Sequence, residues 1–160
     1  MLLRLTKQFS FEMAHALPDY QGKCHNIHGH SYKLFVTVEG APLHQQGAPT
    51  DGMVLDFHQL KEIVSHHIIE PFDHALVLPR QKKDLCHNPD PKQLQLPTQQ
   101  TLQTQFGDYS AKLILVDFQP TSENLLMHFA HLLDGRLPAG TRLHSLKLYE
   151  TQTSCAELIL

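Results

Sequence analysis

The sequence predicts an α+β domain in which an antiparallel four-stranded sheet carries two helices on one face. Three observations carry that expectation. Two stretches near the start alternate apolar and polar residues, two stretches further on space apolar residues at helical period, and the last 20 or so residues return to strand patterning. The 160 residues have the length of a single domain, spanning 1–160, with enough chain to bury a sizeable core.

The elements follow in order. Residues 4–16 place Phe9, Phe11, Met13 and His15 on one face at period two, the pattern of a half-buried strand. Residues 28–39 do the same with His28, His30, Tyr32, Leu34, Val36 and Val38. "APLHQQGAPTDG", rich in Pro and Gly, reads as a loop. Asp56 then stands as an N-cap with Gln59 in the capping-box position, ahead of Phe57, Leu60, Ile63, Val64, His67 and Ile68 at helical spacing, and Pro71 ends that helix. "KLILVDF" (112–118) predicts a short strand. A second helix starts at Thr121 or Ser122, carries Leu125, Leu126, Phe129, Leu132 and Leu133 on one face, and stops at Gly135 and Pro138. Strands near 142–150 and 155–160 close the chain. Residues 79–112, interrupted by Pro79, Pro89, Pro91 and Pro97 and rich in Gln and Thr, show no firm period. Four strands and two helices leave one sheet face and both edges open, which oligomerisation would cover.

Composition excludes several functions. A net charge of -3 gives no electrostatic footprint for nucleic acid or an anionic membrane. No apolar run reaches the roughly 18 residues of a membrane span, and the opening residues lack a signal-peptide pattern. Three cysteines argue against a disulfide framework and for a reducing, cytoplasmic setting.

The 13 histidines are the anomaly. In "CHNIHGHSY", His28 and His30 flank Gly29 at a spacing that points both rings to one face of a strand, and His15 has the matching parity on the likely neighbour strand. Three neutral imidazoles that leave a fourth position open are the donor set of a catalytic zinc site. Cys24, just upstream, is either a fourth ligand closing a structural site or a base or nucleophile outside the ligand set, and spacing alone allows both. Asp73 and His74 are adjacent after a helix end, and a carboxylate can orient an imidazole; the same pair also suits an ordinary turn. Glu150 shares the parity of Leu146 and Leu148, so it either faces inward, awaiting a ligand with adjacent N–H donors, or turns out into solvent. Glu123 lies in the first turn of a predicted helix, where the macrodipole favours an acid anyway. The other histidines, and the Cys86-His87 pair, read as bystanders.

Taken in sequence, "FSFEMAH", "CHNIHGHSY", "GMVLDF", "FDHALVL", "PTSEN" and "YET" resemble the family of 6-pyruvoyl-tetrahydropterin and 6-carboxytetrahydropterin synthases over nearly the whole chain except about 79–112, which reads as an insertion. The resemblance implies the tunnelling fold, a ββααββ subunit whose sheets join around a channel in trimers that pair into hexamers. It implies Zn2+ on His15, His28 and His30, and Cys24 as a catalytic residue outside the ligand set. Asp73 and His74 would act from a neighbouring subunit, Glu150 would grip the amino-pyrimidine edge of a pterin, and Glu123 would lie near it. The implied substrate is 7,8-dihydroneopterin triphosphate. Only three residues separate Cys24 from His28, a short spacing that resembles the carboxy branch, a lyase serving 7-deazaguanine (queuosine) synthesis; the alternatives are the pyruvoyl branch and a non-catalytic protein whose zinc is closed by one cysteine and three histidines.

Overall fold

The computed structural model describes residues 1–80, 98–105 and 107–160. Seven strands lie among the described residues: β1 (Leu3–His15), β2 (His28–Gly40), β3 (Ala75–Pro79), β4 (Thr98–Thr104), β5 (Gly107–Val116), β6 (Thr141–Tyr149) and β7 (Cys155–Ile159). They form one sheet in the order β4-β5-β3-β1-β2-β6-β7. The expected α+β class stands, but a four-stranded, wholly antiparallel sheet does not. β3 lies parallel to both β1 and β5, and the β4–β5 hairpin extends that edge.

β3 and β4 are added to the expected strands, and β5 extends the short strand read at 112–118 back to Gly107, for a physical reason. β3 is only five residues long, β4 reads "TQQTLQT", and β5 buries only Ile114 and Val116 near its end. A polar hairpin at a sheet edge has no buried face to impose alternation. Cys86, His87, Pro89, Pro91 and Pro97 lie outside the described residues.

The frame of the molecule is the β1–β2 ladder, which pairs continuously from Leu3 with Gly40 to His15 with His28. Phe9, Phe11 and Met13 alternate with polar residues on β1, Tyr32, Leu34 and Val36 share one face of β2 with Lys33 and Phe35 on the other, and β6 adds Leu146 and Leu148 to the same buried face. Both helical segments cover that face. α1 (Phe57–Val64), a π-helical turn (Ser65–Ile69) and α2 (Glu70–Phe72) run on continuously, so the helix passes Pro71 and stops one residue later than the sequence suggests. α3 spans Ser122–Leu133. Leu60, Val64, Ile68 and Phe72 from the first segment and Leu125, Leu126, Phe129 and Leu133 from α3 join the sheet residues in one core. Each such side chain, fully buried, contributes about 1.5–3 kcal/mol of transfer free energy.

The caps are as the sequence suggests. Asp56 accepts a hydrogen bond from the His58 N–H at 2.8 Å, and Thr121 accepts one from Asn124 N–H at 3.3 Å. Gly135, at φ 68, takes the left-handed turn beyond α3 that side-chain-bearing residues disfavour. Among the described residues, no helix is long and apolar enough to cross a membrane.

Candidate metal centre

The β1–β2 register sets His15 directly across from His28 and Met13 across from His30, which brings three imidazoles together at one end of the buried sheet face. One ring nitrogen from each of His15, His28 and His30 lies within 4.8 Å of the other two. The ring centroids are 4.6 Å apart for His15 and His28 and 4.9 Å for His28 and His30.

The backbone decides which nitrogen each ring presents. His15 Nδ1 lies 2.8 Å from the Pro120 carbonyl oxygen, and His28 Nδ1 lies 2.8 Å from that of Asn26. A carbonyl oxygen only accepts, so both Nδ1 atoms must carry the proton and donate it. The Nε2 lone pairs of these two rings are thereby freed. His28 Nε2 and His30 Nε2 are buried with no hydrogen-bond partner among the described residues. Leaving such groups buried and unpaired costs about 1–3 kcal/mol each, a cost that a shared cation would remove. The donor set therefore fits a divalent metal such as zinc, with the carbonyl hydrogen bonds fixing tautomer and ring angle behind the ligands.

Glu150, just past the end of β6, turns inward. Its Oε1 is 3.4 Å from both His15 Nε2 and His30 Nε2. The contact with His15 holds the Glu150 carboxyl below the usual range, against the opposing effect of burial. Burial moves His30 the other way from an ordinary cationic histidine, lowering its pKa so that the ring favours the neutral, ligating form. Tyr32, the next residue on the same face, meets the rings of His15 and His30 edge-on with its hydroxyl 3.4 Å from His15 Nε2, and burial with Glu150 nearby raises its pKa strongly. Sequence reasoning treated Tyr32 as core; the signal for more was its parity with His28 and His30.

Cys24 sits in a 3-10 turn (Lys23–His25) pinned by the Leu17 N–H donating to its carbonyl at 2.8 Å. The donors grouped in the structure are His15, His28 and His30, without Cys24. Cys24, Glu123 and Glu150 line one cavity of about 330 Å³, together with Tyr20, Thr121 and Ser122. Ser122, read from sequence only as a possible cap, is buried with its Oγ lacking a partner among the described residues. A helix N-terminus, two carboxylates, a thiol and a free hydroxyl thus surround a space large enough for a small bicyclic molecule.

Asp73 and His74 are paired with each other but do not line that cavity. His74 Nδ1 is 2.9 Å from Asp73 Oδ2, and the His74 side chain is 77% exposed. His74 adopts φ 58, a left-handed conformation that costs a residue with a Cβ about 1–2 kcal/mol. Backbone contacts to β1 hold it there: the His74 N–H donates to Glu12 O at 2.6 Å, and the Glu12 N–H donates to Asp73 Oδ1 at 2.9 Å. Burial pushes the Asp73 carboxyl up, but the Glu12 N–H and His74 outweigh it and hold it below its ordinary value. His74 lines a second space, of about 450 Å³, with Glu12, Gly29, His30, Ser31 and Lys112. Its lining draws on both parities of the β1–β2 ladder, Glu12, Gly29 and Ser31 on one and Met13 and His30 on the other.

Comparison with known proteins follows the same lines. A family model described as 6-pyruvoyl tetrahydropterin synthase matches residues 4–159. A protein of Haemophilus influenzae named 6-carboxy-5,6,7,8-tetrahydropterin synthase is 35% identical over 158 residues, covering 98% of each chain. One of the same name from Aquifex aeolicus is 33% identical over 140 residues, covering 84% of this chain and 75% of its own. Among solved structures, an uncharacterized protein from Wolinella succinogenes superposes with a TM-score of 0.69 at 22% identity, over 99% of this chain and 98% of that one. The 6-pyruvoyl tetrahydropterin synthase of Caenorhabditis elegans gives a TM-score of 0.61 at 21% identity, over 99% and 96%. At those identities the structures speak for the fold alone.

Proposed function

The chain belongs to the 6-pyruvoyl tetrahydropterin synthase family of enzymes, and on that premise we propose that it is a zinc-dependent 6-carboxytetrahydropterin synthase. In this reading it converts 7,8-dihydroneopterin triphosphate and one water to 6-carboxy-5,6,7,8-tetrahydropterin, acetaldehyde and triphosphate, in the cytoplasm, on the way to 7-deazaguanines. The observation that carries the reading is the trio of imidazoles of His15, His28 and His30, two of them with Nε2 freed by Nδ1–carbonyl hydrogen bonds, beside a cavity that holds Cys24, Glu123 and Glu150. The carboxy product is preferred because relatives of that name match nearly the full chain, and because the spacing from Cys24 to His28 is short.

His15, His28 and His30 would hold the zinc ion, which as a Lewis acid makes hydroxyl protons on the substrate side chain easier to lose. Glu150 accepts hydrogen bonds from the amino-pyrimidine edge, and its lowered pKa keeps it ionised for that purpose. Glu123 and the Ser122 hydroxyl line the same cavity and help orient the ring. Cys24 takes a proton from the bound substrate. His74, oriented by Asp73, returns or removes a proton as general acid and base. The pair lies outside the cavity of Cys24, Glu123 and Glu150, and in this reading it serves the site of a neighbouring copy, in a homo-oligomer built as a dimer of trimers.

The test is acetaldehyde release from 7,8-dihydroneopterin triphosphate. Zinc-loaded wild-type protein should release it, whereas Cys24→Ala should stay folded and zinc-loaded and release none. Loss of zinc and fold in Cys24→Ala would instead support a structural site closed by that cysteine.

A further inference from the structure

Lys112 begins the stretch "KLILVDF" on β5, where it pairs with Ala75, the residue that follows His74. Its ammonium reaches the junction between α2 and β3 from the side. There it donates to the Asp73 carbonyl at 2.9 Å and to the Glu70 carbonyl. Glu70 lies in the last helical turn, whose carbonyls have no further helical N–H to accept from, and Asp73 is where the chain leaves the helix. Between the helix end and β3 stands His74 in its left-handed conformation. Three groups therefore fix the junction: the Glu12 backbone from β1, the Asp73 carboxylate, and Lys112 from β5.

The first two come from the sequence motifs that carry the family resemblance. The third does not, because Lys112 lies at the end of the stretch 79–112 that interrupts those motifs. We propose that Lys112 is a positioning residue for the Asp73–His74 pair, and that β5 braces the junction so that the His74 imidazole is presented in one orientation. Two of the three ammonium protons are committed to backbone carbonyls, which suits a brace better than a substrate contact. The inference rests on the reading of Asp73 and His74 as proton-transfer groups, and the test separates the two.

Lys112→Met keeps the aliphatic stem and removes the donors; Lys112→Arg keeps donors and charge. The first readout, independent of activity, is hydrogen exchange at the His74 amide, which donates to Glu12 O. Lys112→Met should speed that exchange by about tenfold or more while the core amides of β1 and β2 stay protected. Exchange unchanged at His74 overturns the inference. The second readout is steady-state kinetics with 7,8-dihydroneopterin triphosphate. Lys112→Met should lower kcat on the order of 10- to 100-fold with KM nearly unchanged, and Lys112→Arg should recover part of the loss. In a His74→Ala background, Lys112→Met should change kcat less than about twofold, because the group it positions is gone. A raised KM with kcat intact would make Lys112 a substrate contact instead and refute the proposal. So would losses that multiply in the double variant. Wild-type turnover in His74→Ala alone would refute the catalytic role of the pair, while the exchange result would still judge the brace.

Discussion

His128 offers a prediction whose size follows from its surroundings. It projects from α3 into a ring of Phe72, Phe118 and Phe129, with centroids at 5.9, 5.3 and 6.4 Å. Its Nε2 is buried without a partner among the described residues. Burial, with a smaller push from His131, lowers its pKa from 6.5 to about 4. Below pH 6.5 the unfolded chain therefore binds a proton that the folded protein refuses, so stability is full above that pH and falls as pH drops toward about 4. The ceiling of the effect is about 3 kcal/mol, from 1.36 kcal/mol per unit of pKa difference, and at pH 5 it amounts to about 2 kcal/mol. Replacing His128 with Leu, of similar volume, should cost less than about 1.5 kcal/mol at pH 7.5 and remove this acid sensitivity. Urea unfolding of wild type and His128→Leu at pH 7.5 and pH 5, both in EDTA so that the metal-facing histidines titrate alike, gives the difference directly. Wild type should lose about 2 kcal/mol more than the variant over that interval. Parallel losses in the two proteins would refute the reasoning.

Three further outcomes follow from the metal centre. Zinc at 100 times its Kd should stabilise the folded protein by about 2.7 kcal/mol, or roughly 5–11 °C in Tm for a chain of this size; scanning fluorimetry should show that gain in wild type and none in His28→Ala. Acid should release the metal, because each of three imidazoles must be neutral to ligate and His30 protonates only below its ordinary range; equilibrium dialysis showing stoichiometric zinc at pH 4 would contradict a histidine-only site. Glu150→Gln should weaken pterin binding on the order of 10- to 100-fold through loss of a charged hydrogen bond worth about 1.5–3 kcal/mol, read by fluorescence titration.

Much of the site was legible because period two is a strict rule. One parity choice put Phe9, Phe11, Met13 and His15 on the face that also holds His28 and His30, and the β1–β2 register then made the three rings converge. The same parity argument carried past the end of β6 to Glu150, which does turn inward. Helix caps at Asp56 and Thr121 were legible because capping chemistry is local. What sequence could not show was set by contacts distant in the chain. The carbonyls of Pro120 and Asn26 that choose the tautomers, the positive φ of His74 and the reach of Lys112 all depend on tertiary placement. β4 and the first half of β5 escaped because this polar edge has no apolar face to read, whereas the apolar second half of β5 was legible as a strand at 112–118.

The measurement that tests the central claim most directly is mass spectrometry of the pterin formed from 7,8-dihydroneopterin triphosphate by the zinc-loaded protein. The account expects 6-carboxy-5,6,7,8-tetrahydropterin with acetaldehyde and triphosphate in equal amounts, and no product after zinc is stripped. A pyruvoyl-tetrahydropterin that keeps its three-carbon side chain would contradict the carbon–carbon cleavage proposed here.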